Sequence, residues 1–216
     1  MNWVPAERAA LAEAFAASDR TAPTLCEGWN AAYLLAHLVM REHDPFGTVA
    51  DLASRRPPGQ EKNLSRLAAT TATRDGHAAL IQRFADGPPH WSPMSWAGEQ
   101  LNLTEYVIHH EDLRRGTGVL PTPRDLPREE GQAILKRLPL FARMAYRRTP
   151  VEVALSTPDG DRLVVKKGAD RVEIVGTPIE LALYVSGRQR AADVQLNGTP
   201  HAIDAFLAST NPREAS

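Results

Sequence analysis

Apolar residues recur three and four apart through the first two-thirds of the chain, the period of helices buried on one face. Residues 5–17 carry Leu11, Ala14 and Phe15 at that spacing, with Pro5 in the first turn. Residues 31–43 repeat it with Leu34, Leu35, Leu38 and Val39, behind Asn30 as a plausible N-cap. Residues 18–28 read as a loop through Pro23 and Gly28, and Arg55-Arg56-Pro57-Pro58-Gly59 is a clear breaker. One long helix is expected over 64–84, closed by Gly87-Pro88-Pro89. After a linker with Trp91, Pro93 and Trp96, a helix is expected from residue 97 or 98 to about 115. It ends in Arg114-Arg115-Gly116, cations and then glycine, as a helix C-terminus should. Beyond Pro121-Thr122-Pro123, another helix covers roughly 128–146.

Near Thr149-Pro150 the period changes from helical to alternating. Residues 151–155, 163–165 and 172–175 read as strands, the first two joined by the turn chemistry of Pro158-Asp159-Gly160-Asp161. Residues 178–185 form a short helix capped by Thr177, residues 194–196 a fourth strand before Asn197-Gly198, and residues 200–207 a last helix; the tail from 209 is expected to fray. The fold class expected is α+β. An all-helical domain fills residues 1–149, and a small α+β domain fills residues 150–216.

Composition narrows the class. Lys+Arg 25 against Asp+Glu 26 leaves no basic excess, which argues against nucleic acid as the partner. No apolar run approaches the roughly 20 residues of a membrane span, and the N-terminal residues lack the pattern of a secretory signal. The single cysteine, Cys26, excludes an internal disulfide and a multi-cysteine zinc site. A soluble cytoplasmic protein is expected, acting on small molecules without a nucleic-acid or membrane partner. The balanced charge permits a monomer, and a homodimer stays open.

One constellation suggests metal chemistry. Glu105 and His109, four apart within a predicted helix, lie about 40° apart in projection and share a face, so both can grip one cation. Asp112, one turn further, can accept a hydrogen bond from the second nitrogen of the His109 ring. A third ligand has to come from another helix, and His37 is the candidate, because its apolar surroundings place it near the bundle interior, where an unpaired polar group is costly. Three protein ligands leave a position for water or substrate, the pattern of catalytic rather than structural zinc sites. His110 points elsewhere around the helix, and His43, His77, His90 and His201 read as surface residues. Cys26, with no histidine within local reach, does not read as a nucleophile, Trp29 reads as a helix-start anchor, and Trp91 and Trp96 read as core packing or as candidates for a pocket mouth.

Thr24-Leu25-Cys26-Glu27-Gly28-Trp29, followed by Leu34-Leu35-Ala36-His37-Leu38, resembles the opening signature of mycothiol-dependent maleylpyruvate isomerase-like proteins, within the DinB/YfiT-like helical-bundle superfamily. Glu105-x-x-x-His109-x-x-Asp112-Leu113 matches the second half of that pattern. Gly176-Thr177-Pro178-Ile179-Glu180-Leu181, Ser186-Gly187-Arg188 and Leu196-Asn197-Gly198 are similar to the family's small C-terminal domain, itself like sterol-carrier folds. Within the superfamily the chain looks closest to a metal-binding branch other than the isomerase itself.

The resemblance implies a DinB-like bundle holding a divalent metal, usually zinc, through His37, Glu105 and His109. It also implies that the open position takes the sulfur of a low-molecular-weight thiol, mycothiol foremost, as the nucleophile of an isomerase or S-transferase. An arginine of the C-terminal domain would hold a substrate carboxylate. Arg188 is the catalytic candidate and Arg190 its alternative, with Trp96 beside the thiol. Two rival readings remain at this stage: a non-catalytic metal-containing module that binds a small molecule or lipid, and a ferrous oxygenase.

Overall fold

The computed structural model describes residues 2–96 and 98–210, with the backbone alone over 98–101. It divides into two compact units, Met1–Thr122 and Pro123–Ser216. The first contains helices α1 (Val4–Ala17), α2 (Ala31–His43), α3 (Pro45–Ser54), α4 (Lys62–Ala69), α5 (Arg74–Ala85), the single turn α6 (Pro93–Trp96) and α7 (Gly98–Arg114). The second contains α8 (Arg128–Leu135), α9 (Leu138–Ala145), β1 (Glu152–Ser156), β2 (Arg162–Lys166), β3 (Arg171–Val175), α10 (Pro178–Val185), β4 (Gln195–Gly198) and α11 (Pro200–Thr210).

In the first unit α1 packs on α5 and α7, and α2 packs on the same two helices from the other side. The shared core is built from Leu11, Phe15, Leu34, Leu35, Leu38, Leu80, Phe84 and Tyr106. Asn30 caps α2 as expected, its side chain accepting from the Tyr33 amide at 3.1 Å. The helix expected over 64–84 is instead two, joined by a tight 3-10 turn at Thr70–Ala72. Thr73 starts the second piece by accepting from the Gly76 amide, and a Cβ on Gly76 would stand 2.0 Å from the Thr70 carbonyl oxygen. Helix α3 was not anticipated, although its signal is present: Asp44 caps it through the Gly47 amide and Pro45 opens its first turn.

A buried polar cluster ties four helices together. The Arg8 guanidinium (α1) donates to both carboxylate oxygens of Glu42 (α2) at 2.8 and 3.0 Å, and to the Phe84 carbonyl (α5) at 2.6 Å. The Tyr106 hydroxyl (α7) accepts from Arg8 and donates to Glu42, and the guanidinium lies 4.8 Å from the centre of the Tyr106 ring. Glu42 is 0% exposed, so this charge is paid for entirely by its partners.

The boundary between units falls at Thr122–Pro123, not at residue 149 as the sequence suggested. Helices α8 and α9 pack on α10, and α9 also packs on β2. Tyr146 and Phe206 bring the end of the helical run onto α11, their ring centroids 5.4 Å apart. The change of period at 149 marks where strands begin, whereas the proline pair at 121 and 123 marks the domain edge. The helix expected over 128–146 breaks where Pro139 enters the first turn of α9. The sheet order is β2-β1-β3-β4, with β1 and β3 parallel and the outer pairs antiparallel. Thr177 caps α10 as expected, and α11 continues to Thr210, past the point where fraying was expected; the rest of the tail lies outside the described residues.

Candidate metal centre

Helix α7 is enclosed nearly all round. Leu103, Tyr106, Val107, His109, His110, Glu111, Asp112 and Leu113 are all buried, which explains why its hydrophobic period is weak despite its central place. Its buried charges are paired: Glu111 with Arg115 at 2.6 Å and Arg114 at 2.7 Å, and His110 with Glu7 at 3.0 Å. His110 therefore faces α1, away from the candidate ligands, as the spacing implied.

His37 on α2 and Glu105 and His109 on α7 converge. Glu105 Oε1 lies 3.2 Å from His109 Nε2 and 3.6 Å from His37 Nε2, and the three candidate ligand atoms all fall within 4.8 Å of one another. Two ligands each about 2.0–2.1 Å from a tetrahedral ion stand about 3.3–3.4 Å apart, so the two measured spacings suit a zinc-sized cation. Donor chemistry agrees, since two imidazoles and one carboxylate form a set zinc accepts. The side chains of His37 and Glu105 are 22% and 31% exposed, while that of Asp112 is fully buried. The cluster therefore has a dry back and an open front.

Behind it, Asp112 Oδ2 accepts from His109 Nδ1 at 2.8 Å and from the Cys26 thiol at 3.1 Å. The Asp112 carbonyl also accepts from the Leu25 amide at 3.0 Å, which pins the loop of residues 18–28 to α7. Gly116 permits that approach, because a Cβ there would stand 1.9 Å from the Pro23 carbonyl oxygen. Cys26, His109 and Asp112 form a second group with possible ligand atoms close together. That group lies on the buried side, with Asp112 fully enclosed, whereas His37 and Glu105 reach solvent, so the His37 group is the stronger candidate for a site with an open position. Trp29 lies against His37, ring centroids 4.9 Å apart, and its indole N–H donates to Glu61 at 3.3 Å. The roles of Cys26 and Trp29 beside the ligands were not legible from spacing, because the loop comes to α7 only through tertiary contacts.

Burial pushes the His37 imidazole down, favouring its neutral, ligating form. For His109 burial also opposes charge, but hydrogen bonds to Asp112, Cys26 and Glu105 outweigh it and hold the ring well above the ordinary histidine range. Burial likewise raises Glu105, yet hydrogen bonds from His109 and His37 prevail and keep its carboxyl well below the usual carboxylate range.

The remaining expectations are placed as follows. Trp96 and Trp91 are exposed, the Trp96 indole N–H donating to the His90 carbonyl at 2.9 Å. His43 is half-buried rather than at the surface, with Nε2 buried and unpartnered among the described residues. In the second unit Arg188 is half-buried and donates to the Ser186 carbonyl at 2.8 Å, and Arg190 is exposed.

Residues 5–114, spanning α1 to α7 and every candidate ligand, match the family model described as the mycothiol maleylpyruvate isomerase N-terminal domain. The chain belongs to the mycothiol-dependent maleylpyruvate isomerase-like family. Two solved structures share its fold across 90% of each chain: the mycothiol-dependent maleylpyruvate isomerase, at 19% identity and TM-score 0.56, and a histidine-to-alanine mutant of that isomerase, at 18% and 0.55. No functionally curated sequence matches significantly. For this member of the maleylpyruvate isomerase-like family, the shared fold is the expected helical domain followed by an α+β part. Among the described residues no helix is long and apolar enough to cross a membrane.

Proposed function

We propose that the chain is a mycothiol-dependent isomerase of a small electrophilic substrate, with a divalent cation, zinc foremost, held by His37, Glu105 and His109. The observation that carries this reading is the convergence of those three side chains, in a chain of this family, on a front open to solvent. A bound cation there would supply Lewis acidity that keeps a thiol ionised near neutral pH, where a free thiol with a pKa of about 8.5 is mostly protonated.

The protein's own groups do the rest. Asp112 holds His109 through Nδ1, so that Nε2 faces His37 and Glu105. Trp29 packs against His37, its ring tilted 40° to the imidazole, and limits the space into which that ring can turn. In the reaction proposed, the thiol sulfur bonds to one carbon of the substrate double bond, and the electron pair moves toward its carbonyl. The resulting single bond rotates, and the thiol leaves with the geometry changed and itself unaltered. Arg188 is proposed to hold a substrate carboxylate, with Arg190 as its alternative, and Trp96 is proposed to line the mouth of the thiol site. A monomer or homodimer in the cytoplasm completes the proposal.

The test is a metal-loaded preparation challenged with mycothiol and a panel of unsaturated acids. Mycothiol at about 100 times its dissociation constant should stabilise the loaded protein by about 2.7 kcal/mol, read as a rise in melting temperature. Isomerisation returns the thiol unconsumed, whereas S-transfer depletes it one for one, so thiol titration separates the two reactions. Absence of any thiol-dependent shift would remove the reading.

Proton release checks the ligand set separately. With His109 held well above the ordinary histidine range and His37 below it, zinc is expected to displace about one proton, from His109. Affinity should then rise about tenfold per pH unit until His109 titrates in the free protein. Calorimetry in buffers of different ionisation enthalpy counts the protons directly; a count of zero would place the metal elsewhere.

A further inference from the structure

Arg41 occupies the same face of α2 as His37, one turn further along. Its Nε lies 3.7 Å from Glu105 Oε1, and its Nη2 donates to Asn102 Oδ1 at 3.1 Å. Asn102 is itself braced, donating to the Met94 carbonyl at 3.0 Å. The third nitrogen, Nη1, is buried and has no hydrogen-bond partner among the described residues. The guanidinium is thus anchored beside the candidate ligands by one hydrogen bond and one longer ion pair, its third nitrogen without a hydrogen-bond partner among the described residues.

That arrangement is expensive unless something completes it. A buried donor without a partner loses its hydration and gains nothing in return. A fixed positive charge next to Glu105 also works against holding a divalent cation there, both by repulsion and by competing for the carboxylate. A purely structural arginine would end with its nitrogens satisfied, as Arg8 does on Glu42, Phe84 and Tyr106.

We infer that Arg41 is a substrate-binding residue, whose Nη1 receives a carboxylate of the electrophile next to the cation site. A single available nitrogen suits one carboxylate oxygen; a phosphate would leave most of its oxygens unmatched. The inference rests on the proposed function for the place of the reaction, and it adds a carboxylate contact on the first unit to the Arg188 contact proposed above.

The experiment uses the full-length zinc-loaded protein and its Arg41→Gln variant, with maleate as a sulfur-free carboxylate probe and maleamide as its neutral counterpart. Maleate should bind the parent protein at least about 10-fold more tightly than maleamide, and the variant should lose that preference. Zinc affinity of the variant should hold or rise, because a competing cation has been removed. Arg41→Lys should recover only part of the preference, since an ammonium lacks the braced fork. Equal maleate binding by parent and variant, or no maleate binding by the parent, overturns the inference. A parallel arm with cobalt in place of zinc and 2-mercaptoethanol as thiol reads the sulfur-to-metal charge-transfer band. If that band is missing while maleate still depends on Arg41, the thiol reading fails and the carboxylate site stands.

Discussion

Replacing Glu105 with alanine is expected to lower zinc affinity by well over about 100-fold, more than the loss of an outer hydrogen-bond partner of a metal ligand would cause. Its carboxylate is the shared neighbour of both histidines, at 3.2 and 3.6 Å, and the only anionic group of the set. Without it, two neutral imidazoles face a cation beside the positive charge of Arg41. A competition titration against a chromophoric chelator measures the loss. Cys26→Ala serves as the control: its thiol hydrogen-bonds with Asp112 and the His109 ring but is not one of the three proposed cation ligands, so the variant should retain the metal. If the pattern reverses, with zinc surviving Glu105→Ala and lost in Cys26→Ala, the cation sits on the Cys26, His109 and Asp112 side.

The second large effect concerns stability. Glu42→Ala should destabilise the first unit by about 3–5 kcal/mol, because it strands the Arg8 guanidinium and the Tyr106 hydroxyl in the core. Combining Arg8→Met, Glu42→Leu and Tyr106→Phe should recover most of the loss, since apolar groups of similar volume leave neither an uncompensated charge nor a stranded hydroxyl. All four tryptophans, Trp3, Trp29, Trp91 and Trp96, belong to the first unit, so urea unfolding followed by their fluorescence reports it without interference from the second. A single alanine variant as stable as the parent would mean that the cluster contributes nothing net.

Most of the candidate cluster was legible because it obeys local rules. Glu105 and His109 share a helix face by spacing alone, and His37 was conspicuous as a polar residue in an apolar run. What was not legible depended on contacts between elements distant in sequence. Cys26 and Trp29 sit in a loop whose docking on α7 no periodicity reveals. Glu42 reads as an ordinary solvated charge until Arg8 is brought to it from α1. Arg41 reads as one more cation near a helix end until Asn102 and Glu105 of α7 are brought to it. The elements themselves failed where small residues override pattern: the threonine corner at 70–73 split one expected helix, and Pro139 split another. Helix α3 escaped although Phe46, Val49 and Leu52 recur three apart, and the structure leaves all three exposed, so that stripe does not face the core.

The enclosure of α7 governs how an ion would come and go. A ligand carried on a surface loop can swing aside and release its cargo by local motion. Here the turn bearing Glu105 and His109 is clamped by α1, α2 and the 18–28 loop, and shifting it would breach the core. Exchange must then pass by the solvent-facing side of His37 and Glu105 while the scaffold stays shut. Lability at this centre is therefore a matter of the doorway and whatever stands in it, not of the wall behind.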